Sequence, residues 1–282
     1  MPAASALIMA MTVYAGYRIY RFFIRRPASY PSPTYIQRIQ RSHPTAARLV
    51  CLGDSITQGD IGASYVRLLE KHLSPPSWVV MNAGINGDLS NNALARLDDV
   101  IAAQPSAITI LIGTNDIHCS MSKENYETYV RLGKIKQPPS FADYQANMTE
   151  ILRRLQHTTQ ARIALIFIPL MSENVDHEVN KRGDQYSRYL RDTASRLKIH
   201  YLPLREAQKS YLETNDKKGC PSYENTGRLQ RSLIWSFLGM SWDKIAERND
   251  NQLSVDNIHS NSQTASMIAG LIERFVQHVP AK

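Results

Sequence analysis

Short apolar runs alternate with amphipathic patterns along most of this chain of 282 residues. The segments Arg48–Leu52, Trp78–Asn82, Ala107–Ile112, Arg162–Ile168 and Ile199–Leu204 have the length and β-branched content of buried strands. Between them, apolar positions recur at helical spacing. They predict helices over Ala63–Leu73, Asn91–Ala103 (stopped before Pro105), Phe141–His157, His177–Leu197 and Ser262–His278. Strands that are apolar throughout, rather than alternating, belong to a parallel sheet covered on both faces. The pattern therefore predicts one α/β domain with a five-stranded parallel sheet. In open sheets of this kind ligands sit beyond the carboxyl ends of the strands. GDS follows the first strand, NAGINGD the second and GTND the third, so all three polar clusters fall on that rim.

Two stretches interrupt the alternation. One insertion, Ile117–Ser140, separates the third strand from its helix. The other, Glu206–Val255, precedes the last helix and carries Leu233, Ile234, Trp235, Phe237, Leu238, Met240 and Trp242. Structural decoration is the plainer reading of both. The second reads as a helix packed over the domain, a lid or a wall for an acyl group.

The N-terminus differs from the rest. Pro2 to Tyr17 carries no charge, and Arg18, Arg21, Arg25 and Arg26 follow. Positive charge after an apolar stretch, rather than before it, argues against a cleaved secretory signal. Residues 1–26 are expected to be an uncleaved membrane anchor, with a presequence or a peripheral helix as alternatives. The arginine side would then place the domain in the cytoplasm. Residues 27–46, with Pro27, Pro31, Pro33 and Pro44, read as a stiff extended linker to a domain over residues 47–282.

Charge removes one class of function. The net charge is +8, but seven arginines and no acids lie between Met1 and Gly53. The remainder is nearly neutral and lacks the basic footprint of a nucleic-acid binder. Cys51, Cys119 and Cys220 are too few and too far apart for a disulfide framework or a zinc site. Nothing in the sequence sets the oligomeric state.

The chemistry centres on Ser55, at the turn after the first strand. A serine hydroxyl is a weak nucleophile unless a base takes its proton and a third group orients that base. SVDNIHSN offers His259 with Asp256 three residues before it. His72, His157 and His278 lie in helical patterns, His43 in the linker, and His118 and His177 in loops without a close aspartate. Donors for a developing oxyanion are available as the Ser55 and Gly87 backbone N–H groups and the Asn115 side-chain amide. Each has a plainer reading, as a turn glycine or a helix cap. Together on one rim they supply every part of an ester-cleaving site.

GDSITQG at Gly53–Gly59, NAGINGD at Asn82–Asp88, GTND at Gly113–Asp116 and DNIH at Asp256–His259 resemble the four blocks of the SGNH, or GDSL-like, hydrolases, in the family's order. The resemblance implies Ser55 as nucleophile, His259 as base, Asp256 as its orienting acid, and Ser55, Gly87 and Asn115 as the oxyanion hole. It implies a flavodoxin-like three-layer α/β/α sandwich and no metal or cofactor. The expected activity is cleavage of carboxylic esters, lipid-like or acyl thioester substrates included. Carbohydrate O-deacetylation is the alternative within the family. A catalytically retired, membrane-tethered binding protein is the alternative outside it, although no part of the site is missing. Asp54 reads as a structural residue of the turn.

Overall fold

The computed structural model describes residues 25–215, 223 and 227–277. Five parallel strands form its sheet: β1 (Ala47–Gly53), β2 (Trp78–Gly84), β3 (Ala107–Leu111), β4 (Arg162–Ile166) and β5 (His200–Leu202), in the order β2-β1-β3-β4-β5. The sheet builds two cores because successive strand residues point to opposite faces. Val50 and Leu52 of β1 face one core, joined by Met81, Ile108 and Leu165. That core is covered by α1 (Pro33–Ser42), α4 (Ser90–Ala95), α5 (Leu97–Ala102), α8 (Phe141–Thr158) and α9 (Glu178–Leu197). Leu49 and Cys51 face the other core, beneath α3 (Tyr65–His72), α10 (Leu204–Thr214) and α13 (Ser262–Gln277). This is the three-layer α/β/α sandwich, with the flavodoxin-like strand order.

Gly53 pairs with both Gly84 and Leu111, so β1, β2 and β3 end level with one another. The three loops that leave them share one rim. Four short helices, α2 (Ser55–Gln58), α6 (Thr114–Cys119), α7 (Lys123–Arg131) and α12 (Trp242–Arg248), and the longer α11 (Arg228–Phe237) complete the described elements. The first insertion holds α7, and the second holds α11 and α12.

The sequence expectations fail in two described places. The extended linker is a helix over Pro33–Ser42. Ser32 Oγ accepts from Tyr35 N, Pro33 occupies the first helical turn, and Ile36 and Ile39 are buried in the first core. Proline at the start of a helix costs nothing, because the N–H it lacks has no partner there in any case. The preceding residues are also built in. Ser29 O accepts from Asn82 N at 3.1 Å, and the Tyr30 hydroxyl donates to Asp99 Oδ2 at 2.6 Å. The second failure is the helix expected over Asn91–Ala103, which breaks at Arg96 into α4 and α5. The Arg96 guanidinium turns inward there, donating to Gly53 O and Ala83 O at 2.8 Å each.

The anchor expected over residues 1–26 lies outside the described residues, apart from Arg25 and Arg26. Among the described residues no helix is long and apolar enough to cross a membrane.

Candidate active site

Ser55 begins a single helical turn on the rim. Asp54 caps it, with Oδ1 accepting from Ile56 N at 3.0 Å, and Gly59 ends it at φ +73°. A left-handed φ is open to glycine at little cost. The end of β2 and the loop after it grip this turn. Asn82 Nδ2 donates to Thr57 O at 2.9 Å and Gln58 O at 3.3 Å, and Asn86 N donates to Gln58 Oε1 at 2.7 Å. Gly84 lies so close that a Cβ there would sit 2.2 Å from Gln58 N.

From the opposite end of the chain, the loop before α13 delivers His259. Asp256 Oδ1 accepts from Ile258 N at 3.1 Å and His259 N at 2.8 Å, which folds the loop over the carboxylate. Asp256 Oδ2 lies 2.8 Å from His259 Nδ1, and His259 Nε2 lies 3.0 Å from Ser55 Oγ. With the Nδ1–H donating a hydrogen bond to the carboxylate, Nε2 has a lone pair for the serine proton. All three side chains are buried. Burial works to raise the Asp256 pKa, but the His259 charge and the hydrogen bonds from His259 and Ile258 outweigh it. The carboxyl is held below its ordinary value, ionised beside the imidazole.

Gly87 and Asn115 meet at Asp88. Asn115 Nδ2 donates to Asp88 O at 2.8 Å, one residue beyond Gly87. Among the described residues, neither the Ser55 N–H nor the Gly87 N–H donates to a backbone carbonyl in a turn, loop or cap. The Asp88 carboxylate is clamped by Arg96 Nε and Lys134 Nζ, each at 2.7 Å. Asp116 ties the third block to the start of α4, just after the second block, accepting from Ser90 N at 3.0 Å and Ser90 Oγ at 2.6 Å.

Two buried acids titrate high. Burial raises Asp54 to about 7 against the Ile56 hydrogen bond, and its Oδ2 has no hydrogen-bond partner among the described residues. Burial raises Asp116 to about 6, against its bonds from Ser90. Among the described residues no group of three His, Cys, Asp or Glu side chains is placed to hold a metal ion.

The family model described as the GDSL-like lipase/acylhydrolase family matches residues 51–222, more than half of the chain. The chain belongs to that family. The match includes Ser55, Gly87 and Asn115 and stops before Asp256 and His259, so it is the fold that brings the second half of this GDSL-like site to the first. A curated relative, esterase TesA of Pseudomonas aeruginosa, is 38% identical over 77 residues, which cover 25% of this chain and 38% of that protein. The alignment thus spans little more than a third of that relative's length. Among solved structures, the acetylxylan esterase Axe2 of Geobacillus stearothermophilus has a TM-score of 0.56 at 18% identity, covering 84% of this chain and 95% of its own. The acetyl xylan esterase AlAXEase has a TM-score of 0.60 at 17% identity, covering 81% and 99%. These structural likenesses show a shared fold.

Several residues of this GDSL-like site escape sequence reasoning. Asn82 and Gly84 lie within the quoted second block, but nothing in the block says that they brace the serine turn. Arg96 looks like an ordinary helix residue. Tyr129, whose hydroxyl donates to Asn115 Oδ1 at 2.6 Å, comes from the insertion read as decoration. His118 is set aside for want of an aspartate, and its Nδ1 lies 3.2 Å from the Tyr129 hydroxyl.

Proposed function

We propose that the chain is a carboxylic ester hydrolase that works through an acyl-enzyme on Ser55. The observation that carries this reading is the unbroken line from Asp256 through His259 to Ser55 Oγ, at 2.8 and 3.0 Å. Ser55 Oγ attacks the ester carbonyl as His259 Nε2 takes its proton. Asp256 holds the imidazole in the required tautomer and stabilises the imidazolium. The Ser55 and Gly87 N–H groups and the second Asn115 Nδ2 proton receive the oxyanion. His259 returns its proton to the leaving alcohol, and water then repeats the sequence against the acyl-enzyme. Hydrolysis of short-chain p-nitrophenyl esters by wild type and Ser55→Ala tests the assignment, with a serine-directed phosphonate expected to label Ser55. Equal turnover by both proteins would sink it. A retired binding protein would ignore ester and phosphonate alike.

Two substrate classes have support. Lipid-like or thioester acyl groups suit the second insertion, where Ile234 of α11 (58%) and Leu238 just beyond its end (74%) are exposed. That helix is tied to the His259 loop, because Asn249 Nδ2 donates to both Ser232 Oγ at 3.1 Å and Val255 O at 2.7 Å. O-deacetylation of a carbohydrate is favoured by the activity named for the acetylxylan esterases that share the fold. A chain-length series beside acetylated xylo-oligosaccharides separates them. Long-chain preference supports the first, and acetyl-only activity the second. The apolar N-terminus followed by arginines supports attachment to a bilayer with the domain on the cytoplasmic side, which a reporter fused to the C-terminus would test.

A further inference from the structure

We propose that Tyr129 is a positioning residue of the oxyanion hole: its phenol, backed by His118, fixes and polarises the Asn115 amide so that Nδ2 faces the reacting carbonyl. This rests on the ester-hydrolase reading above.

The hydrogen bonds have one consistent direction. The Tyr129 hydroxyl gives its single proton to Asn115 Oδ1 at 2.6 Å. Its oxygen can then only accept from His118 Nδ1, 3.2 Å away. At the other end of the amide, Nδ2 donates to Asp88 O at 2.8 Å. A flipped Asn115 would set its Oδ1 against the Asp88 carbonyl oxygen, two acceptors at 2.8 Å, so the amide has one acceptable orientation and presents Oδ1 to the phenol. One Nδ2 proton is used by Asp88, and the other is left for a ligand. An amide whose oxygen accepts a hydrogen bond donates more strongly through its nitrogen. The chain His118–Tyr129–Asn115 therefore strengthens the donor that would meet the oxyanion.

The insertion is packed to hold the phenol in place. Tyr129 is buried in a small core with Leu89, Cys119 and Ile135. Leu89 directly follows Asp88, so this core joins the insertion to the Gly87–Asp88 loop itself. The His118 ring packs edge-on against Tyr129, with centroids 5.9 Å apart. Burial depresses the His118 pKa to about 4, while Asp256 pulls it up and His259 pushes it down, which leaves a neutral imidazole; its one proton belongs on Nδ1 because the Tyr129 oxygen facing it can only accept. Burial also drives the Tyr129 pKa well up, so the phenol keeps its proton.

The test is a double-mutant cycle on the full chain with p-nitrophenyl acetate. Tyr129→Phe keeps the ring in its core and should lower kcat about tenfold with KM changed less than about twofold, the scale of one lost hydrogen bond. Asn115→Ala should lower kcat on the order of 10²–10³-fold. In the Asn115→Ala background, Tyr129→Phe should change kcat by less than about twofold, because the group it acts through is gone. His118→Phe should lower kcat by a smaller factor than Tyr129→Phe and likewise lose its effect without Asn115. It also keeps the cycle readable if Tyr129→Phe does not fold. A wild-type kcat in Tyr129→Phe, or losses that multiply across the double variant, would overturn the positioning role while Ser55→Ala stays inactive. Activity retained by Ser55→Ala would instead overturn the hydrolase reading and this inference with it.

Discussion

His259 Nε2 stands 3.0 Å from Ser55 Oγ across 204 positions of sequence. The contact couples the first turn of the domain to its last loop. If it carries the proton transfer, removing either partner removes most of the catalysis. Ser55→Ala and His259→Gln should each lower kcat about 10⁴-fold or more, and the double variant should be hardly worse than either single one. Steady-state kinetics on a p-nitrophenyl ester read this directly. Losses that multiply would show that the two residues do not act as a unit.

Asp54 gives a pH prediction with a definite sign. Its pKa is raised to about 7 by burial, so the folded protein binds the Asp54 proton more tightly than the unfolded chain does. The stabilisation is complete below the ordinary aspartate value of about 4 and is lost as pH rises through about 7. Asp54→Asn keeps an oxygen for the Ile56 N–H and cannot ionise. Between pH 5 and pH 8 its stability should gain on wild type by about 3 kcal/mol. Urea denaturation at the two pH values measures the gap, and a gap that stays constant would contradict a raised Asp54 pKa.

The same turn shows how far the sequence could be read. Strands β1 to β4 were legible because each is apolar on both faces and bounded by turn residues. Ser55, Asp256 and His259 were legible because each sits in a short block with its neighbours. The supports were not, because their partners are tertiary. Arg96 breaks a well-patterned helix to reach two carbonyls on neighbouring strands. Tyr129 lies in an insertion with no catalytic residue near it in sequence, and only the fold carries it to Asn115. The prolines around residue 30 misled in another way. Proline density marks both stiff linkers and helix starts, and Ser32 with Ile36 and Ile39 decided for a helix.

Gly84 tests the support of the nucleophile. A Cβ at this position would sit 2.2 Å from Gln58 N and 2.6 Å from Thr57 C, both backbone atoms of the serine turn. Neither can yield without moving α2. Gly84→Ala should therefore cost about 1–3 kcal/mol of stability, the scale of an overpacked core. It should also lower kcat by at least about tenfold, because a shift near 1 Å at a reacting group is costly. Chemical denaturation and kinetics on one preparation check both. Gly133→Ala, which meets nothing within 4 Å, controls for a generic glycine effect. Gly133 has φ +68°, so a modest stability loss is expected there too, but no loss of kcat.

Helix α1 is part of the domain, and the consequence reaches the site. Ile36 and Ile39 are buried in the core that covers β1 and β2. Truncating buried isoleucine to alanine costs about 2–5 kcal/mol. On this peripheral helix the lower end is expected for each, so Ile36→Ala with Ile39→Ala should lose about 4 kcal/mol. A chain beginning at His43 should lose more, because it also lacks Ser29, whose carbonyl accepts from Asn82 N at 3.1 Å. Asn82 in turn holds Thr57 O and Gln58 O of the Ser55 turn. The shortened chain should therefore show a lower kcat as well as a lower denaturation midpoint than a chain beginning at Arg25. If the chain from His43 equals the chain from Arg25 in stability and rate, α1 is an appendage and the support for the serine turn ends at β2.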